Sequence, residues 1–182
     1  MHGSFDQMST PYQRIEGHEQ VLRAFGYWPD FHDAEVRSLL MDRNTRLFDD
    51  VVANARIEVC LHAFEWTRDA QPCFNHHLVQ LRFHYACDLA LKGFNHQNAI
   101  LEFKVEDYAF PPDAPVGFRI TFVPAHGLSG SFSAAGAEVL SVVPCDEQGE
   151  PRQRVEPAAA SNGGPATPLG NSSVTEGPPS VS

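Results

Sequence analysis

The chain has 182 residues, 42% of them hydrophobic and 10% aromatic, which is enough for one domain of ordinary size with a substantial core. Its 23 acidic against 13 basic residues leave a formal charge of -10, which argues against sequence-independent binding to nucleic acid or an anionic membrane and suits a basic partner. No run approaches the roughly eighteen apolar residues of a membrane-spanning helix, and Met1 to Gln7 lack the basic-then-apolar order of a secretory signal, so a cytoplasmic protein is expected.

The first pattern in chain order is helical. Thr10-Pro11 makes a helix entry, and Ile15, Val21, Leu22 and Phe25 mark one face of a helix expected from Tyr12 to Phe25 despite Gly17. Arg14, Glu16, Glu19 and Arg23 form its solvated side. Gly26 ends it in a left-handed conformation, and Pro29 pushes Trp28 toward extended backbone.

The run from Gly26 to Val36 therefore reads as a rigid corner leading into a strand. It packs Trp28, Pro29, Phe31, His32, Asp33 and Glu35 into a few residues. Alternation from Phe31 onward places Asp33, Glu35 and Arg37 on one side and His32, Ala34 and Val36 on the other, so His32 is expected on the buried side. Three readings of that histidine stay open: a general base, a metal ligand, or a core residue pinned to backbone. Trp28, Pro29 and Phe31 read as anchors between helix and sheet.

Strand patterns follow. Ala34 to Asp42 is the first, with a polar turn at Asn44 to Asp50 that folds Leu47 and Phe48 inward. Arg56 to Trp66 alternates cleanly, with Ile57, Val59, Leu61 and Ala63 on one face. Thr67 to Asn75 holds Pro72 and reads as a loop. His76 to Ala86 alternates again, with His77, Val79, Leu81, Phe83 and Tyr85 as its core face. Asp88 to Phe94 either prolongs that strand beyond a bulge or stands alone, and Gly93 to Asn98 has turn chemistry. Ile100 to Tyr108 is expected to turn Leu101, Phe103 and Val105 inward. Phe118, Ile120 and Phe122 form the next inward row after the breaks at Pro111, Pro112 and Pro115. Leu128 to Phe132 and Glu138 to Val143 read as a final pair. With no helical pattern between strands, the fold class is α+β: an N-terminal helix packed on a curved antiparallel sheet of about six to eight strands.

From Asp146 the composition changes. Of the last 37 residues six are Pro and five are Gly, with much Ala, Ser, Asn and Thr, which cannot bury a core. The expected organisation is one domain over 1–145 and a disordered tail over 146–182.

The chemistry-bearing residues are scattered. Cys60, Cys73, Cys87 and Cys145 form no C-x-x-C and read as reduced thiols. Among nine histidines, His62, His76 and His84 share the outer face of one hairpin in a favourable register, but no H-E-x-x-H or comparable ligand spacing is present. Gly127-Leu-Ser-Gly130 lacks the G-x-S-x-G elbow. No catalytic residue, cofactor or metal is assigned, and an enzyme built on His32, Asp33 and Glu35, metal-dependent or hydrolytic, is the alternative kept in view.

Trp28-Pro29-x-Phe31-His32-Asp33-Ala34-Glu35-Val36 after a short helix resembles the signature of the immunity protein 50 family of bacterial polymorphic-toxin systems, with a matching strand pattern to about Pro144. The resemblance implies a helix-plus-antiparallel-sheet domain whose partner is a protein, a cognate toxin that it binds and neutralises, with no nucleic-acid or membrane partner. Trp28, Phe31, His32, Asp33 and Glu35 are the candidate motif, structural or partner-binding.

Overall fold

The computed structural model describes residues 10–46, 53–67, 70–110 and 115–152. Among these, eight strands form two antiparallel sheets of four. They are β1 (Glu35–Arg46), β2 (Ala53–Thr67), β3 (Ala70–His84), β4 (Cys87–Lys92), β5 (Ile100–Ala109), β6 (Val116–Pro124), β7 (Ser129–Ala134) and β8 (Gly136–Pro144). The first sheet runs β1-β2-β3-β8 and the second β4-β7-β6-β5.

The fold thus departs from the expected succession of neighbouring strands in one curved sheet. The chain leaves the first sheet after β3 and returns to it with β8, and each crossing is short. Tyr85 and Ala86 lead from β3 to β4, with Tyr85 in a left-handed conformation (φ 54°). Ala135 alone separates β7 from β8. The expected final pair of strands therefore lies in two different sheets, and Tyr85, expected inside, is 44% exposed beyond the end of β3.

The apolar rows meet between the sheets. Ile57, Val59, Leu61 and Ala63 of β2 and Val79, Leu81 and Phe83 of β3 are buried as their alternation predicts, opposite Phe118, Ile120 and Phe122 of β6. Phe83 joins the two layers, with its ring 5.1 Å from that of Phe132 and 6.4 Å from that of Phe103. On β5 the expected faces fail at one point. The register with β6 slips between Ile100 and Glu102, and this bulge turns Leu101 outward, so Ile100 and Phe103 are the buried residues.

The predicted N-terminal helix is present only in part. Pro11–Arg14 form a single 3-10 turn and α1 spans Glu19–Phe25. Gly17, at φ +72°, breaks the pattern: a side chain there would meet the Val139 carbonyl at 3.2 Å. Between the two pieces, Glu16 pairs with β8, its N–H donating to Ala137 O and its carbonyl accepting from Val139 N–H. Arg14 reaches across to the carbonyls of Val116 and Gly117 on β6 and to Asp107 on β5. The N-terminal segment therefore runs along the edge of one sheet and ties it to the other. Gly26 ends α1 at φ 81°, as expected from sequence.

The expected loop from Thr67 to Asn75 is largely strand. Ala70 pairs with Thr67 and Phe74 with Glu65, so β2 and β3 continue as a long irregular hairpin. Pro72 is tolerated because β8 pairs with β3 only from His77 onward, leaving this stretch at an edge. The inward placement of Leu47 and Phe48 concerns residues outside those described. So does most of the expected tail. Residues 146–152 form a turn in which Asp146 Oδ1 accepts the N–H groups of Gln148 and Glu150, each at 2.9 Å, and 153–182 lie outside the described residues.

Candidate functional site

The corner between α1 and β1 is built by two left-handed residues that are not glycine. Phe31 has φ 58° and Asp33 φ 62°. Period-two alternation fails across such residues, so the expected burial of His32 beside Ala34 is not what the fold adopts. Its side chain is 46% exposed, with Nδ1 3.0 Å from Asp33 Oδ2, while Phe31 and Ala34 are buried.

Backbone bonds to β5 hold this conformation. Asp33 N–H donates to Ile100 O, Phe103 N–H to Asp30 O, Ile100 N–H to Ala34 O, and Val36 N–H to Asn98 O, at 2.8 to 3.0 Å. Asp30 Oδ1 accepts the His32 N–H at 3.0 Å, a local Asx bond that tightens the turn. Side chains complete the lock. Trp28 stacks on Tyr12 with ring centroids 5.0 Å apart and meets Phe31 edge-on, and Phe31 meets Phe103 edge-on at 5.9 Å. Glu35 turns to the segment just before β5, where its Oε1 accepts the Asn98 N–H.

The candidate motif thus splits. Trp28, Phe31 and Glu35 engage the fold, whereas His32 and Asp33 face solvent as a pair. Of the three polar residues of the enzyme alternative, His32 and Asp33 pair with each other, while Glu35 accepts the Asn98 N–H. Among the described residues no group of three or more His, Cys, Asp or Glu side chains stands where it could hold a metal ion. Three of the thiols are shifted away from the reactive thiolate: Cys60 and Cys145 have raised pKa values, caused first by burial, and so does Cys87, by burial and then by Asp88.

Two grooves open where the corner approaches the far end of the β2–β3 hairpin. One lies between Tyr27, Asp30 and His32 on the corner and Glu65, Trp66 and Phe74 on the hairpin. The other passes over the outer face of the first sheet between Asp33, Trp66, Pro72, His76 and Glu147. Trp66 belongs to both. Glu65 fixes their geometry, accepting from the Tyr27 hydroxyl at 3.1 Å and from Asn75 Nδ2 at 2.6 Å, while that same Nδ2 also donates to Ala24 O. Partial burial and the bond to Glu65 raise the Tyr27 pKa.

Behind the second groove lies a buried histidine pair. His62 Nε2 is 3.1 Å from His76 Nδ1, and His76 Nε2 is 3.1 Å from Cys73 O. A His76 that donates Nε2–H to that carbonyl leaves Nδ1 to accept from His62. Burial, then the neighbouring His76 and Arg37, lower the pKa of His62 against a smaller opposing effect of Asp146. The three histidines expected on the outer face all lie there, but only His62 and His76 meet, because His84, at the other end of the face, pairs with Glu138 at 2.9 Å.

Sequence reasoning did not single out Tyr27, Trp66 or Phe74. Their only signal is a large aromatic residue at or beyond the end of a regular pattern, and Phe74 falls in the stretch whose residues predict a loop.

No helix among the described residues is long and apolar enough to cross a membrane. No curated protein and no solved structure matches the chain. The family model described as Immunity protein 50 matches residues 17–144, from the start of α1 through β8 and including the whole corner. With more than half of its length matched, the chain belongs to the Immunity protein 50 family.

Proposed function

We propose that this protein is a cytoplasmic binding protein that neutralises a cognate bacterial toxin by forming a complex with it, without chemistry of its own. The observation that carries this reading is the family match, which spans nearly all of the described fold. In this reading the corner has two roles. Trp28, Phe31 and Glu35 hold it against β5 and the N-terminal turn, and His32 and Asp33 are presented to the partner. The formal charge of -10 suits a basic toxin surface, such as one that engages nucleic acid.

The test is co-expression with the toxins encoded beside this gene. Rescue of growth together with a stable one-to-one complex supports the reading. Continued killing with no complex at micromolar concentrations of both purified proteins rules it out.

A further inference from the structure

We propose that the two grooves flanking Trp66 are the docking surface for the toxin, and that the segment they receive carries arginine or lysine beside an apolar side chain. This inference rests on the immunity reading above. Three large aromatic residues stand exposed at one place, Tyr27 at 51%, Trp66 at 53% and Phe74 at 42%, and all three line the first groove. Such rings bury much area on contact with little conformational cost, which is why aromatic residues dominate the energetics of protein interfaces.

Charge identifies the occupant. Asp30, Asp33, Glu65 and Glu147 line the grooves, and no lysine or arginine is among the described residues that do. By contrast, the groove on the other side of the corner, beside Trp28 and β5, contains Lys104, whose ammonium lies 3.4 Å from Glu102. An incoming guanidinium or ammonium gains the carboxylates as charge-assisted partners and the aromatic faces for cation–π contact. Two other occupants have the wrong sign. A second copy of this chain carries the same negative charge, and residues 153–182 contain one arginine against two glutamates. The same turn of chain that places Asp33 beside one groove places His32 beside the other, so the corner presents its solvent-facing pair to both.

The probe is the toxin encoded beside this gene, titrated calorimetrically into the full chain at low and high salt. Trp66→Ala should weaken the complex about 30-fold or more, as removal of a central aromatic anchor does. Asp33→Asn combined with Glu147→Gln should weaken it about tenfold at low salt and less at high salt. Glu102→Gln, an acidic residue on β5 away from the grooves, should leave affinity unchanged. All variants are compared at equal thermal midpoints, and Phe74→Ala replaces Trp66→Ala if the latter lowers that midpoint. A wild-type complex that is indifferent to the groove variants overturns this inference alone. Absence of any complex with the wild-type chain overturns the immunity reading and the inference together. A homodimer in sedimentation that Trp66→Ala dissociates assigns the grooves to a second copy and likewise overturns the proposal.

Discussion

The outer face of the first sheet treats charge in opposite ways at its two ends. At the end where β3 turns toward β4, Arg82 Nε donates to Glu58 at 2.9 Å and Arg82 Nη1 to Glu138 at 3.1 Å, His84 also meets Glu138, and Arg56 lies 3.2 Å from Asp42. Cations and carboxylates alternate across neighbouring strands and neutralise one another. At the hairpin end the same strands carry Phe64, Trp66 and the buried His62–His76 pair, with carboxylates around them and no lysine or arginine among the described groove-lining residues. A face whose charges are matched internally gains little from a partner, whereas the hairpin end supplies apolar area and carboxylates with no lysine or arginine lining the grooves beside them, Arg37 next to His62 being directed to Gln148 O and Glu150. The contrast is therefore one between stability and recognition, made on one sheet by the choice of residues at corresponding outward positions.

That contrast can be broken by substitution. The largest effect is expected beneath the acidic end, at the anchor that presents it: Phe31→Ala should cost about 3–5 kcal/mol of stability in denaturant titration, because the ring is buried between Trp28 and Phe103. A loss below about 1 kcal/mol would show that the corner does not depend on this contact. At the matched end, Arg82→Met should cost about 1–2 kcal/mol, since Glu58 and Glu138 lose the cation between them, discounted because Arg82 is partly solvent-exposed. Toxin affinity should not change in this variant. If affinity falls as much as stability, the two ends are not separate in function.

The histidine pair sharpens the comparison through pH. His62 has a folded-state pKa lowered from 6.5, so the unfolded chain takes up its proton first as the solution is acidified. Its neutral form is compatible with the fold above about pH 6.5, and stability should decline as pH falls from there toward the lowered folded value. His62→Gln should flatten that decline in thermal midpoints recorded between about pH 7.5 and 5, the ordinary histidine range; an unchanged slope would assign the pH dependence to other groups. The smallest expected effect on stability is at Trp66, where truncation to Ala should stay within about 0.5 kcal/mol of wild type because more than half of the residue is already exposed. A larger loss would make Trp66 part of the core rather than of the docking surface.

Much of the strand arrangement was legible in the residues. The period-two rows of β2, β3 and β6 identify their own buried faces, since alternate side chains of a strand must point to opposite sides whatever the strand pairs with. Gly26 likewise marks the end of α1, because a left-handed cap favours a residue without a β-carbon. The corner was recognisable as a unit but its directions were not. Left-handed Phe31 and Asp33 reverse the side chains around them, and bonds from β5, far along the chain, hold those conformations.

The remaining differences share that cause. Leu101 faces out because the register with β6 slips, and residues 70–75 are strand because two long strands keep pairing past their regular region. The split into two sheets turns on Tyr85, Ala86 and Ala135, three residues whose types do not announce a crossing. The chain's residues by themselves determined most of the extended segments, the apolar sides of β2, β3 and β6, and which family motif lies at the corner. Only the tertiary structure decided which strands are neighbours, that His32 faces outward, and that Tyr27, Trp66 and Phe74 share one groove, because alternation is set within a strand whereas pairing and proximity are set by residues distant in the chain.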